Sequence, residues 1–121
     1  MGTAIPLREK KCKPCEGMGE PMGHAAIEMH LKETPGWQLN EDSNSISRLF
    51  VMKNFMAAVN FIAKIAQIAE AEDHHPDIHL TGYRKLKIDL STHAIGGLSE
   101  NDFIVAAKVN ELPAELKEPK K

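Results

Sequence analysis

The sequence predicts an α+β fold in two layers, a four-stranded antiparallel sheet with about three helices on one face. Three observations predict it. Apolar periodicity switches between helical and strand periods in the order helix, hairpin, long helix, hairpin, helix. The segment Arg84–His93 puts Leu86, Ile88 and Leu90 on one parity and Lys85, Lys87, Asp89, Ser91 and His93 on the other. That is a strand with one face in a core and one in water. The segment Phe55–Asp73 is apolar around most of its circumference, with Asn60, Lys64 and Gln67 on one narrow stripe. Such a helix is expected to be buried on more than one side, against the sheet and against another helix or subunit.

In chain order, residues 1–20 carry Pro6, Pro14, Gly17 and Gly19 and read as an irregular arm. Residues 21–115 read as a single domain and residues 116–121 as a charged tail. A helix is predicted over 21–34, with Ile27 and Leu31 as its apolar stripe and Pro35-Gly36 as its stop. Trp37–Asn40 and Ser45–Met52 flank the turn residues Glu41-Asp-Ser-Asn44, which predicts a hairpin. The second of these strands has no clean alternation, so its pattern assigns no faces. Asn54 is a good N-cap for the long helix, and Pro76 disfavours helix at His75. Asp77–Tyr83 and Arg84–His93 form the second hairpin, with Ile78 and Leu80 facing one way and His79 the other. Gly96-Gly97 breaks the chain, and a third helix runs from Ser99 to Pro113.

The bulk composition excludes several classes. With 121 residues there is room for one modest core. The hydrophobic share of 42% and charged share of 26% are those of an ordinary soluble globular chain. A net charge of −2 gives no basic field for direct nucleic-acid binding. No apolar run is long enough to span a bilayer, and the first residues lack the apolar core of a secretory signal. The expectation is a cytoplasmic protein. Cys12 and Cys15 form a lone C-x-x-C without a second pair for zinc, so two free thiols are the favoured reading. A metal shared between two chains by four such cysteines is a much weaker one.

Chemistry concentrates in Glu70–His93, which holds four of the six histidines. His74 and His75 are adjacent and precede Pro76, so both sit at a helix-to-strand junction. Imidazole titrates nearest neutrality, which makes proton transfer or metal binding the first ideas to test. A single histidine in such a place is more simply a solvated side chain. An adjacent pair fixed by proline, with His93 at the far end of the next hairpin, favours chemistry. A metal is the weaker alternative. His75 and His79 share a strand parity and Asp73 is near, but adjacent histidines rarely chelate one ion and no conventional zinc spacing is present. His79 lies outside this constellation, and His24 and His30 are expected to be idle. Asp102 reads first as the acid of a capping box beginning at Ser99, and Glu70 as a solvated residue near a helix end.

These residues carry a resemblance. Glu70-x3-His74-His75-Pro76, Tyr83, then nine residues to His93, and a downstream Asp102 are similar to the signature of the pterin-4a-carbinolamine dehydratases. Pro35-Gly36-Trp37, Asn54-Phe55, Ser91-Thr92-His93 and Gly97-Leu98-Ser99 agree with it. Cys12-Lys-Pro-Cys-Glu-Gly17 resembles an extension common among bacterial members. The resemblance implies a lyase that removes water from 4a-hydroxy-tetrahydropterin and gives the quinonoid dihydropterin. It would recycle the pterin of aromatic amino-acid hydroxylases, without metal or organic cofactor. It implies that His74, His75 and His93 are catalytic and pterin-binding, that Asp73, Ser91, Thr92 and Ala94 line the pocket, and that Glu70 and Asp102 support it. A homodimer or homotetramer is expected, with an aromatic amino-acid hydroxylase or another protein as a further partner. The alternative is a non-catalytic dimerisation, assembly or transcriptional cofactor of the same fold. The presence of all three histidines favours the enzyme.

Overall fold

A computed structural model describes residues 5–13 and 20–117. Its elements are α1 (His24–Glu33), β1 (Gln38–Leu39), β2 (Ile46–Val51), α2 (Phe55–Glu72), β3 (Asp77–Thr81), β4 (Lys85–Leu90) and α3 (Glu100–Asn110). All strand pairs are antiparallel, in the order β1-β2-β4-β3. The two sequence-predicted hairpins therefore join through their second strands. β4 is interior, while β1 and β3 are the edges.

The parity read from β4 holds. Leu86, Ile88 and Leu90 are buried, and Lys85 and Lys87 are exposed. β2 contributes Ile46 and Phe50 to the same buried face. Its third residue on that parity is Arg48, paired in register with Ile88. This is why its alternation looked broken. The guanidinium lies 4.4 Å from the centre of the Phe50 ring and donates to Oδ1 of Asn110 at the end of α3. A cation on the core parity is thus accommodated by an aromatic face and an amide rather than by a carboxylate.

α2 starts where Asn54 caps it, the side chain accepting from the Ala57 N–H at 2.8 Å. Ala57, Ala58, Phe61, Ile65 and Ala69 face the core, and the Phe61 ring meets Phe50 edge-on at 5.0 Å. The helix also packs against α3, where Lys108 Nζ lies 3.6 Å from Glu72, so it meets both the sheet and another helix as its apolar circumference predicts. Phe55, Met56 and Val59, near its start, remain exposed. α3 is the most deeply buried helix, with Asn101 to Ala107 all buried.

Two segments differ from their predicted course. Tyr83 is not in a strand. Gly82 and Tyr83, with φ of 53° and 56°, form the tight turn of the β3–β4 hairpin. β4 ends at Leu90, and His93 begins a short 3-10 turn, His93–Ile95, closed by Gly96 at φ 69°. The described part of the arm is docked. Leu7 is buried in the core, and the Asn101 amide grips the Lys13 backbone, accepting from its N–H at 2.9 Å and donating to its carbonyl at 2.7 Å. The Cys12 N–H donates to Glu72 at 2.8 Å. Burial, with Glu72 beside it, pushes the Cys12 thiol up to about 12. Cys15 lies outside the described residues.

Candidate active site

The end of α2 decides where the adjacent histidines point. Asp73 closes the helix in the left-handed region, at φ 51°, a conformation that aspartate tolerates better than most residues. The reversal lets the His74 N–H return to the Ala69 carbonyl at 3.1 Å. It turns the His74 ring inward and leaves His75 outside. His74 is 6% exposed, whereas the His75 side chain is 54% exposed.

The buried ring finds a partner. His74 Nε2–H donates to Oδ1 of the fully buried Asp102 at 2.7 Å. The other carboxylate oxygen accepts from the Thr92 hydroxyl at 2.8 Å and from the Ser99 N–H at 3.0 Å. The Thr92 hydroxyl hydrogen is committed to Asp102, so in the 2.7 Å Thr92–Ser99 pair the Ser99 hydroxyl is the donor. The Asn101 N–H completes the set by donating to Ser99 Oγ at 3.2 Å. Asp102 therefore does two jobs. It closes the capping box of α3, and it fixes the tautomer of His74. With Nε2–H committed, the Nδ1 of a neutral His74 is an acceptor. Outside, Nε2 of His75 is hydrogen-bonded to Glu70, so the second adjacent histidine also carries a carboxylate, here on the exposed end of α2.

The third histidine lies elsewhere. His93, Ser91 and Thr92 line an open polar cavity of about 480 Å³ on the outer face of the sheet, together with Asp77, Lys87 and Asp89. The rest of its wall comes from the β1–β2 turn, from Ser47 of β2, and from Gly96 and Gly97. The candidate residues thus fall into three groups, with Ala94 apart. Ser91, Thr92 and His93 share the cavity wall. His74 and Asp102 form the buried pair, Asp73, His75 and Glu70 sit at the helix end, and Ala94 is exposed in the 3-10 turn. Thr92 joins the cavity wall to the buried pair, since its hydroxyl holds Asp102. Among the described residues no hydrogen bond joins His93 to His74 or His75. No group of three or more histidine, cysteine, aspartate or glutamate side chains among them is arranged to hold a metal ion.

Sequence reasoning missed Asp89, Asp77 and Lys87 as cavity residues, and missed the partner of His79. The His79 Nε2–H donates to Asp89 Oδ2 at 2.9 Å. The signal was present, because Asp89, Ser91 and His93 share one parity, and a strand face is lined by residues i, i+2 and i+4.

The site thus consists of an open polar cavity with His93 in its wall, on a two-layer α+β fold that also carries the pairs His74–Asp102, His75–Glu70 and His79–Asp89. The family model for pterin 4 alpha carbinolamine dehydratase matches residues 20–112. The chain belongs to the pterin 4 alpha carbinolamine dehydratase family. It is 46% identical over 108 residues to "Putative pterin-4-alpha-carbinolamine dehydratase" of Halorhodospira halophila, covering 89% of this chain and 98% of that one. It is 44% identical over 112 residues to "Pterin-4-alpha-carbinolamine dehydratase 2, mitochondrial" of Arabidopsis thaliana, covering 90% of this chain and 60% of the plant protein. A crystal structure described as a "transcriptional coactivator/pterin dehydratase from Brucella Melitensis" superposes with a TM-score of 0.71 at 32% identity, covering 75% of this chain and 96% of that one.

Proposed function

We propose that this protein dehydrates a 4a-hydroxy-tetrahydropterin to the quinonoid dihydropterin by histidine acid–base catalysis. The observation that carries the reading is His74 on Asp102 and His93 in the cavity wall, joined through Thr92, with His75 on Glu70 next to His74 in the chain. The reaction needs two proton transfers. The 4a oxygen gains a proton as the C4a–O bond breaks and water leaves. N5 loses its proton as the C4a–N5 double bond forms. A positioned histidine does each without an electron carrier. His93, in the cavity wall, works at the reacting atoms. His74 offers a fixed acceptor nitrogen, and His75, exposed beside it, exchanges protons with water. Asp73, Ser91 and Ala94 complete the substrate's surroundings.

The wider role follows the same chemistry. A 4a-hydroxy pterin is what an aromatic amino-acid hydroxylase releases, so the protein recycles that cofactor in the cytoplasm. The exposed Phe55, Met56 and Val59 on α2 support a homodimer or homotetramer, or docking of a partner protein. Among the described residues no helix is long and apolar enough to cross a membrane. The test is decay of synthetic 4a-hydroxy-tetrahydropterin followed by absorbance, with and without the protein. Acceleration proportional to protein concentration supports the reading, and decay at the spontaneous rate removes it.

A further inference from the structure

The outer face of the sheet carries an arrangement that the histidine chemistry does not use. Asp89 is on the interior strand β4, between Ser47 of β2 and Asp77 of β3 in register. Both neighbours line the same cavity as His93. Two carboxylates directly opposite on adjacent strands repel each other and are normally selected against. Here the wall answers with two cations or donors. His79 donates to Asp89 Oδ2 at 2.9 Å, and Lys87 Nζ lies 3.7 Å from Oδ1. The His79 bond is a cross-strand diagonal, because His79 is paired in register with Lys87. Asp89 is therefore held at a fixed rotamer on a rigid element, with its side chain three-quarters buried.

Resting on the dehydration reading above, the substrate is a fused ring whose pyrimidinone half presents a ring N–H and an exocyclic amino group side by side. Two parallel donors are matched by one carboxylate, in the fork geometry that makes charge-assisted pairs strong. Asp89 and His93 line one cavity of about 480 Å³, room for a bicyclic ring to meet both. We propose that Asp89, oriented by His79, anchors the donor edge of the pterin and holds the ring while His93 acts at the 4a position. His79 is a positioning residue, and Asp89 determines specificity for a 2-amino-4-oxo ring over a ring lacking the amino group.

The experiment combines variants with a ligand change. Wild type, Asp89→Asn, His79→Ala and His79→Gln are compared for dehydration kinetics. Equilibrium binding of 7,8-dihydropterin is compared with that of its 2-deamino analogue. Melting curves confirm folding. Asp89→Asn is expected to raise KM by about 10- to 100-fold, with kcat held to within about threefold. Wild type should bind the deamino analogue at least about tenfold more weakly than dihydropterin, and Asp89→Asn should lose most of that difference. His79→Ala should show a smaller shift in the same direction, partly rescued by His79→Gln. An unchanged KM and undiminished discrimination in Asp89→Asn would overturn the inference while leaving the dehydratase reading intact. Absence of turnover in wild type would sink that reading, and the binding arm would still report on Asp89. Should Asp89→Asn fail to fold, the two His79 variants carry the test, and full discrimination in both would overturn it.

Discussion

Asp102→Asn separates the two jobs of one buried carboxylate. The carboxylate takes three donors on two oxygens, His74 on one and Thr92 with Ser99 on the other. An amide has one oxygen and one NH2. The less costly orientation puts the oxygen toward Thr92 and Ser99 and the NH2 toward His74. The capping box then survives in neutral form, but His74 must accept at Nε2 and move its proton to Nδ1. Replacing charge-assisted bonds by neutral ones at a fully buried site should cost about 2–4 kcal/mol. For a chain of this size that lowers Tm by roughly 10 °C. The wrong tautomer removes the acceptor nitrogen, so turnover should fall by about 100- to 10,000-fold. Asn54→Ala is the control. It removes the α2 cap, costs about 1 kcal/mol, touches none of the histidines and should leave kcat unchanged. Thermal melts and stopped-flow dehydration are read side by side. A folded Asp102→Asn that melts lower yet turns over within about threefold of wild type would refute the tautomer argument, leaving Asp102 as a helix cap alone.

Four further outcomes are expected. His93→Ala and His75→Ala should each slow dehydration by about 100- to 10,000-fold with unchanged circular dichroism, and a harmless His93→Ala would remove His93 from the site. Chelator should leave activity intact, and loss on chelation with recovery on adding zinc would replace the acid–base account by a metal one. The Cys12 thiol, pushed up to about 12, should stay unlabelled by iodoacetamide at pH 8 in the folded protein and label quickly in denaturant, and rapid native labelling of the Cys12 peptide would contradict its burial. Light scattering should give a multiple of 13.4 kDa, and Met56→Lys with Val59→Glu should shift it toward that mass. A wild-type monomer would remove the argument from the exposed stripe of α2.

What the sequence revealed depended on whether a single local rule governed each segment. β4 was legible because one face meets the core and the other meets water, and no residue violates the period. α2 was legible because Asn54 caps its start and Pro76 keeps the helix from continuing past its end. β2 was legible as a strand but not in its faces, because Arg48 occupies a core position and is satisfied by Phe50 and Asn110, one of them distant in sequence. The 3-10 turn at His93 was hidden by a parity that continues past the last ladder pair at Leu90. The docking of residues 5–13 was hidden as well, since backbone held by the Asn101 amide leaves no periodic trace. At the site, spacing marked the histidines, and the Asp102 cap was read correctly. That the same carboxylate also holds His74 is a tertiary fact, created by the reversal at Asp73 and invisible to local pattern.

The most direct measurement is single-turnover decay of 4a-hydroxy-tetrahydropterin on wild type and on the His74→Ala, His93→Ala double variant, each in molar excess over substrate and each verified as folded. The account predicts rapid conversion to the quinonoid dihydropterin on wild type and decay close to the spontaneous rate on the double variant, a gap of at least about 100-fold. Equal decay on the two proteins would contradict it.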